Sequence, residues 1–235
     1  MEELFRSGTL EMSSSPLASL AAGPAWSDLL TNRILAVLAI ALLVLSLPDI
    51  FRLTPYLVYA YGRARGAAEL EHSLGIARSR TATTLLLILP FCLIADRYAL
   101  IRPNFFSGIP ALWLSVATVG LFISYLLLRE LCYLLLHPRK LNAEQTHVLK
   151  RNPYNYFIPM TALMLLSGVF FALTRCPDDT ARSILRWEIA AVSVFCLLRS
   201  GQFLSGHCSG FATFLYLCGL EIVPASALVA VVLFF

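Results

Sequence analysis

Apolar residues fall in six long blocks along this chain, and most of the charged residues lie between the blocks. The bilayer interior offers no water to a backbone amide, so a crossing segment must satisfy its own hydrogen bonds, which makes an α-helix the default. A helical crossing takes about 17–25 predominantly apolar residues. Spans are therefore expected at about Leu29–Leu47, Thr81–Ile101, Ile109–Leu136, Tyr154–Thr174, Ser183–Phe203 and Ser209–Phe235. The second is interrupted by Pro90 and by the pair Asp96-Arg97, and the fifth has only its middle, between Glu188 and Arg199, free of charge. Strands of a membrane barrel would alternate apolar and polar residues. Runs such as Leu85-Leu86-Leu87-Ile88-Leu89 do not alternate. The expected fold is all-α: a polytopic bundle of about six spanning helices.

Composition sharpens the class. Of the 235 residues, 58% are hydrophobic and 14% charged, with a mean hydropathy of +0.75. A soluble domain carries about 25% charged residues, and one core at this length could not hide so much apolar surface. This excludes a water-soluble globule, a disordered chain, a disulfide scaffold and a nucleic-acid binder. Residues 1–28 are Ser-rich and acidic and read as a polar, flexible N-terminal segment, with residues 29–235 forming one helical domain. They lack the basic start and immediate apolar stretch of a secretory signal, so the first span reads as an uncleaved signal-anchor.

Loops rich in Lys and Arg stay on the cytoplasmic side. Arg52, Arg63, Arg65, Arg78, Arg80, Arg129, Arg139, Lys140, Lys150, Arg151 and Arg199 group on one side of the expected topology. Arg6, Arg33, Arg97, Arg102, Arg175, Arg182 and Arg186 group on the other. This bias places both termini outside, periplasmic if the membrane is a bacterial inner membrane. Trp26, Trp113 and Trp187 stand near the starts of odd-numbered spans, hence on the same outer face, as boundary-seeking tryptophans would. The net charge of +4 mostly reflects this bias. The Arg/Tyr-rich stretch Ile50–Arg65 reads either as an interfacial helix on an anionic leaflet or as a solvated loop.

Ionisable groups at membrane depth are costly, about 2.5–3.5 kcal/mol each at a helix centre, and should face other helices and find partners. Glu221 is the sharpest case, between twelve uncharged residues before it and fourteen after it. Pro224 cannot donate to the Leu220 carbonyl and should kink the same helix. Arg199 is the expected partner, and Arg186 the alternative if the last hairpin is symmetric. Such a pair would lock helix packing; the competing roles for Glu221 are a substrate, ion or proton site, or a carboxyl that stays protonated. A second group, Arg129, Glu130, Tyr133 and His137, ends the third span. Steps of three and four put Glu130, Tyr133 and His137 on one helical face. Two ligands fall short of the three or four a metal site needs, so the group reads as a boundary cluster of snorkelling side chains. No metal or cofactor is expected. Cys92, Cys132, Cys176, Cys196, Cys208 and Cys218 read mainly as small hydrophobes. Gly206-His207-Cys208-Ser209-Gly210 has no preceding strand to make a nucleophile elbow and reads as a tight turn.

The stretch Phe214-Leu215-Tyr216-Leu217-Cys218-Gly219-Leu220-Glu221-Ile222-Val223-Pro224 closely resembles the C-terminal signature of a bacterial integral membrane family, domain of unknown function 4271, found in Bacteroidota. A Trp-Ser-Asp lead into the first span, a basic tyrosine-containing loop after it, and Asn152-Pro153-Tyr154-Asn155-Tyr156 before the fourth are similar too. This chain lacks the family's lysine-bearing tail after the last span. The resemblance implies a multi-helix inner-membrane protein and carries over no catalytic residue.

The expected role is a non-catalytic accessory or scaffold component of an envelope process, with the lipid bilayer and other membrane proteins as partners and no nucleic acid. A small transporter working through Glu221 is the alternative, and a membrane enzyme on a lipid-linked substrate, using Arg129, Glu130 and His137, the third reading. The topology has a direct check. Alkaline phosphatase fused after residue 235 should be active and a fusion within residues 139–151 inactive; the reverse pattern overturns the assigned orientation.

Overall fold

The computed structural model describes residues 26–62, 73–135 and 141–234. The helices are α1 (Leu30–Gly62), α2 (Leu74–Arg97), α3 (Ala111–Leu135), α4 (Ala143–Thr174), α5 (Asp178–Ser205), α6 (Gly210–Leu217) and α7 (Val223–Phe234). A π-helical turn, Cys218–Ile222, joins α6 to α7 into one span. Short 3-10 turns at Trp26–Asp28 and Asn104–Gly108 precede α1 and α3. Among the described residues there is no strand. The molecule is an all-α bundle of six rods. Five of them are long and apolar enough to cross a membrane. The sixth, α5, has 28 residues, about 42 Å of helix at 1.5 Å per residue, but carries Arg182, Arg186, Glu188 and Arg199.

Consecutive rods run in opposite directions, as contacts at the two ends record. At one end the Trp26 indole N–H donates to Asp96 at the end of α2, and Arg182 near the start of α5 donates to the Tyr98 carbonyl. At the other end the Tyr61 hydroxyl, from the last turn of α1, donates to the Asn155 carbonyl of α4, and Arg80 of α2 to the Asn155 side chain. Residues 1–25 and 63–72, including Arg63 and Arg65, lie outside the described residues.

The element bounds differ from the sequence reading in instructive places. The stretch after Pro48 is neither an interfacial helix nor a loop as far as Gly62: α1 continues through Pro48 and Pro55. Packing decides this. Leu53 and Leu57 are buried against Leu87 of α2 and Ile158 of α4, which fixes the helix where propensity alone would break it. Ser46 and Thr54 hydroxyls donate back to the Leu43 and Ile50 carbonyls, the kind of local bonding that accompanies prolines in membrane helices. α4 starts eleven residues before the expected Tyr154, because Asn142 and Gln145 form a capping box that satisfies free N–H groups at the helix start. α5 likewise starts early, at Asp178 after Pro177, with Asp178 and Asp179 in its first turn, where the helix dipole favours negative charge. α2 ends at Arg97, short of the expected Ile101. Ala99 takes a left-handed φ of 47° and the Leu100 N–H reaches the Ala95 carbonyl at 2.8 Å, closing the helix in the manner of a Schellman turn.

The centre of the bundle is aromatic. The Phe91 ring lies 5.0 Å from Phe122 and 5.2 Å from Phe157, which joins α2, α3 and α4. Since lipid is as apolar as the core, van der Waals fit of this kind holds membrane helices together. Phe91→Ala should therefore cost about 3–5 kcal/mol, read as an earlier unfolding transition in detergent; an unchanged midpoint would remove the cluster from the packing account.

Candidate functional site

Glu221 sits in the π-helical turn of the last span, where the Val223 N–H bonds to the Cys218 carbonyl, five residues back. Pro224 follows directly and is itself buried. A proline removes one N–H from the ladder, and the wider turn just before it accommodates the loss. A single π-turn of this kind re-aims neighbouring side chains and is frequent at functional sites. Here it turns both Leu220 and Glu221 inward. The turn expected to carry a proline kink thus also holds a π-turn beside the carboxylate.

The partner of Glu221 is Arg129 of α3, not Arg199 or Arg186. Arg129 Nη2 donates to Glu221 Oε1 at 2.9 Å and its Nε to Oε2 at 3.4 Å. The Tyr133 hydroxyl donates to the same Oε1 at 2.8 Å. Arg129 Nη2 also donates to the Lys150 carbonyl of α4 at 3.0 Å, and its guanidinium lies 5.1 Å from the Tyr133 ring centroid. The Arg129 and Glu221 side chains are 3% and 8% exposed. Two-point contact between guanidinium and carboxylate is the strong, orientation-specific form of an ion pair. Three helices are thus pinned at one point. The carboxylate, already holding three hydrogen bonds, is an anchor rather than a free base.

The other sequence candidates fall elsewhere. Arg199 turns to α1, donating to the Tyr61 carbonyl and to Gln202 Oε1, with its guanidinium over the Phe195 ring. Arg186 is exposed on α5. Glu130 pairs with Lys150 of α4 at the surface; one residue from Arg129, it is rotated away from the buried side. His137 lies outside the described residues. The inward pair on α3 is therefore Arg129 with Tyr133, four residues apart, while Glu130, expected on the Tyr133 face, turns to Lys150. The sequence reading had all the members but joined them by the wrong register.

Above this anchor lies a half-open cavity of about 610 Å³ walled by α2, α3, α4, α5 and the last span. Its walls are predominantly apolar, including Phe91, Phe122, Phe157, Ile189 and Leu228, and its charged lining residues are Arg129, Glu221 and Arg186. The volume lies inside the range of about 300–1,000 Å³ typical of small-molecule sites. It exists because the last hairpin spreads. α5 packs on α4 and meets the final span chiefly at α6, whereas α7 packs on α3.

Two further polar networks brace the ends. At the Trp26 end, buried Asp96 accepts from the Trp26 indole at 2.7 Å, Arg102 approaches it at 3.7 Å, and the Ser115 hydroxyl sits between Asp96 Oδ2 and Asn32 Oδ1. At the Tyr61 end, Asn155 joins Arg80 and Tyr61, and Asn152 donates to Ser200 at 3.0 Å. Asp96 was visible as a charge inside a span, but nothing in the sequence pointed to Asn32 or Ser115 as its company. Among the described residues no group of three or more His, Cys, Asp or Glu side chains converges.

Comparison of the chain with protein-family models, curated proteins and solved structures gave no match. The geometry alone carries the functional reading.

Breaking a buried ion pair from one side leaves a stranded charge and costs about 3–5 kcal/mol, whereas replacing both partners with apolar groups is often tolerated. Arg129→Met should abolish monodisperse protein in detergent, and adding Glu221→Leu should restore it. Equal recovery of the single and double variants would remove the pair from its anchoring role.

Proposed function

We propose that this chain is a non-catalytic, multi-pass membrane protein that holds a lipophilic molecule in the cavity between α2, α3, α4, α5 and the last span, acting as an accessory component of an envelope process. The observation that carries the reading is the cavity itself: about 610 Å³, apolar-walled and half-open. Open space of this kind within a bundle costs van der Waals contacts unless something fills it, and in a bilayer the available filling is hydrocarbon. The acid beside it is fully engaged by Arg129 and Tyr133, which argues for a fixed wall over a reacting group. Engagement of Glu130 by Lys150 argues the same way against lipid chemistry at the Arg129, Glu130 and His137 cluster.

A bacterial inner membrane with both termini periplasmic is the location we assign. It is supported by the arginine bias of the loops, by Trp26 just before α1 and by Trp113 in the first turn of α3. The Tyr-Leu-Cys-x-Leu-Glu-x-x-Pro signature supports placing the chain with domain of unknown function 4271, and the buried Glu221 and Pro224 give that signature a physical reason. A transporter is the second reading, favoured by one fact: the cavity reaches Glu221.

Native mass spectrometry after extraction in mild detergent tests the proposal. The wild type should retain one lipophilic molecule per chain, and Ala225→Trp, which fills the cavity from α7, should lose it while remaining folded. Retention unchanged by Ala225→Trp would overturn the reading. Proton-coupled uptake into liposomes that Glu221→Gln abolishes without loss of folded protein would replace it with the transporter.

A further inference from the structure

We infer that the occupant of the cavity is a single-chain anionic lipid whose carboxylate or phosphate head is bound by Arg186. The inference rests on the lipophile-binding reading above and adds the ligand's charge and orientation.

The argument starts from charge balance. Three charged side chains line the cavity, Arg129, Glu221 and Arg186. The first two neutralise each other at 2.9 Å, which leaves the cavity with one positive charge. Among the described residues that charge has no partner: Arg186 makes no hydrogen bond or ion pair with any of them. Three of its neighbours at the same end of the bundle are engaged. Arg97 pairs with Asp178, Arg102 with Asp96, and Arg182 with Asp179. Arg186 is thus the cation at this end, among those lining the cavity, that is open to a ligand.

Position supports the same assignment. Arg186 lies eight residues into α5, about 12 Å along the helix from its first residue, with its side chain exposed. On the same face of α5, Ile189, Val192, Ser193, Cys196 and Leu197 continue the cavity lining away from Arg186. The adjacent Trp187 is 74% exposed, as an indole that seeks the membrane boundary would be. A head group at Arg186 therefore sits toward the membrane surface while its chain runs inward along α5 toward the Arg129–Glu221 floor.

Volume sets the size. At about 610 Å³ the cavity falls within the range of about 300–1,000 Å³ that holds one small ligand, which suits one acyl chain rather than two. Guanidinium suits this head chemistry because its planar fork bonds carboxylate or phosphate oxygens in pairs.

The test compares hexadecyl phosphate, palmitate and hexadecanol as competitors for retained radiolabelled hexadecyl phosphate on the full chain in neutral detergent. Both anions should bind at least tenfold more tightly than the alcohol, the margin expected of a charge-assisted hydrogen bond. Arg186→Gln should erase the preference while leaving hexadecanol binding unchanged, and Arg186→Lys should restore part of it. Ala225→Trp should abolish binding of all three. Equal affinity for the three probes, or a preference untouched by Arg186→Gln, overturns the inference while Ala225→Trp still upholds the cavity. Binding that survives Ala225→Trp overturns the cavity reading and this inference with it.

Discussion

The structure depends on the pairing of one buried acid with one buried arginine. In hydrocarbon neither Glu221 nor Arg129 is tolerable alone, and together, with the Tyr133 hydroxyl and the Lys150 carbonyl, every strong polar group in the cluster has company. Because lipid supplies little driving force for apolar association, such a point of contact fixes the register of helices that would otherwise slide. α3, α4 and the last span are aligned at it. The π-turn at Cys218–Ile222 serves the same end: it aims the carboxylate at α3 within a helix that Pro224 has already weakened.

From that constraint the cavity follows. Tying α7 to α3 draws the second half of the last span away from α5, which stays on α4. The hairpin that joins α5 to α6 keeps them close at one end only. The gap between them is walled with aromatic and aliphatic side chains, with the neutralised ion pair and Arg186 as its charged lining. The same interaction therefore stabilises the bundle and shapes the site.

The polar residues elsewhere obey a common rule. Asp96 with Trp26, Ser115 and Asn32 braces one end, and Asn155 with Arg80 and Tyr61 braces the other. Each brace joins residues far apart in sequence, and the middle of the bundle between them is left to the Phe91, Phe122 and Phe157 packing. Arg186 differs from these in lining the cavity without a partner among the described residues, which is why it points to a ligand.

The sequence by itself determined the helical class and the number of rods, because apolar length is a local property. It also marked Glu221 as a residue in need of a partner, since an isolated acid in an apolar run is costly wherever its helix packs. It could not choose the partner. Arg129 is 92 positions away, and chain distance favours Arg199 and Arg186, which a hairpin would bring near. Nor could it see that α1 runs on past Pro48, that α4 starts at its capping box, or that Arg129 and not Glu130 faces inward. Those outcomes depend on which surfaces meet, and a one-residue difference of about 100° around a helix decides whether a charge is buried or wet. The cavity, and the lack of a partner for Arg186 among the described residues, belong wholly to the tertiary structure, because empty space and an unmet charge are properties of an arrangement and of no single segment.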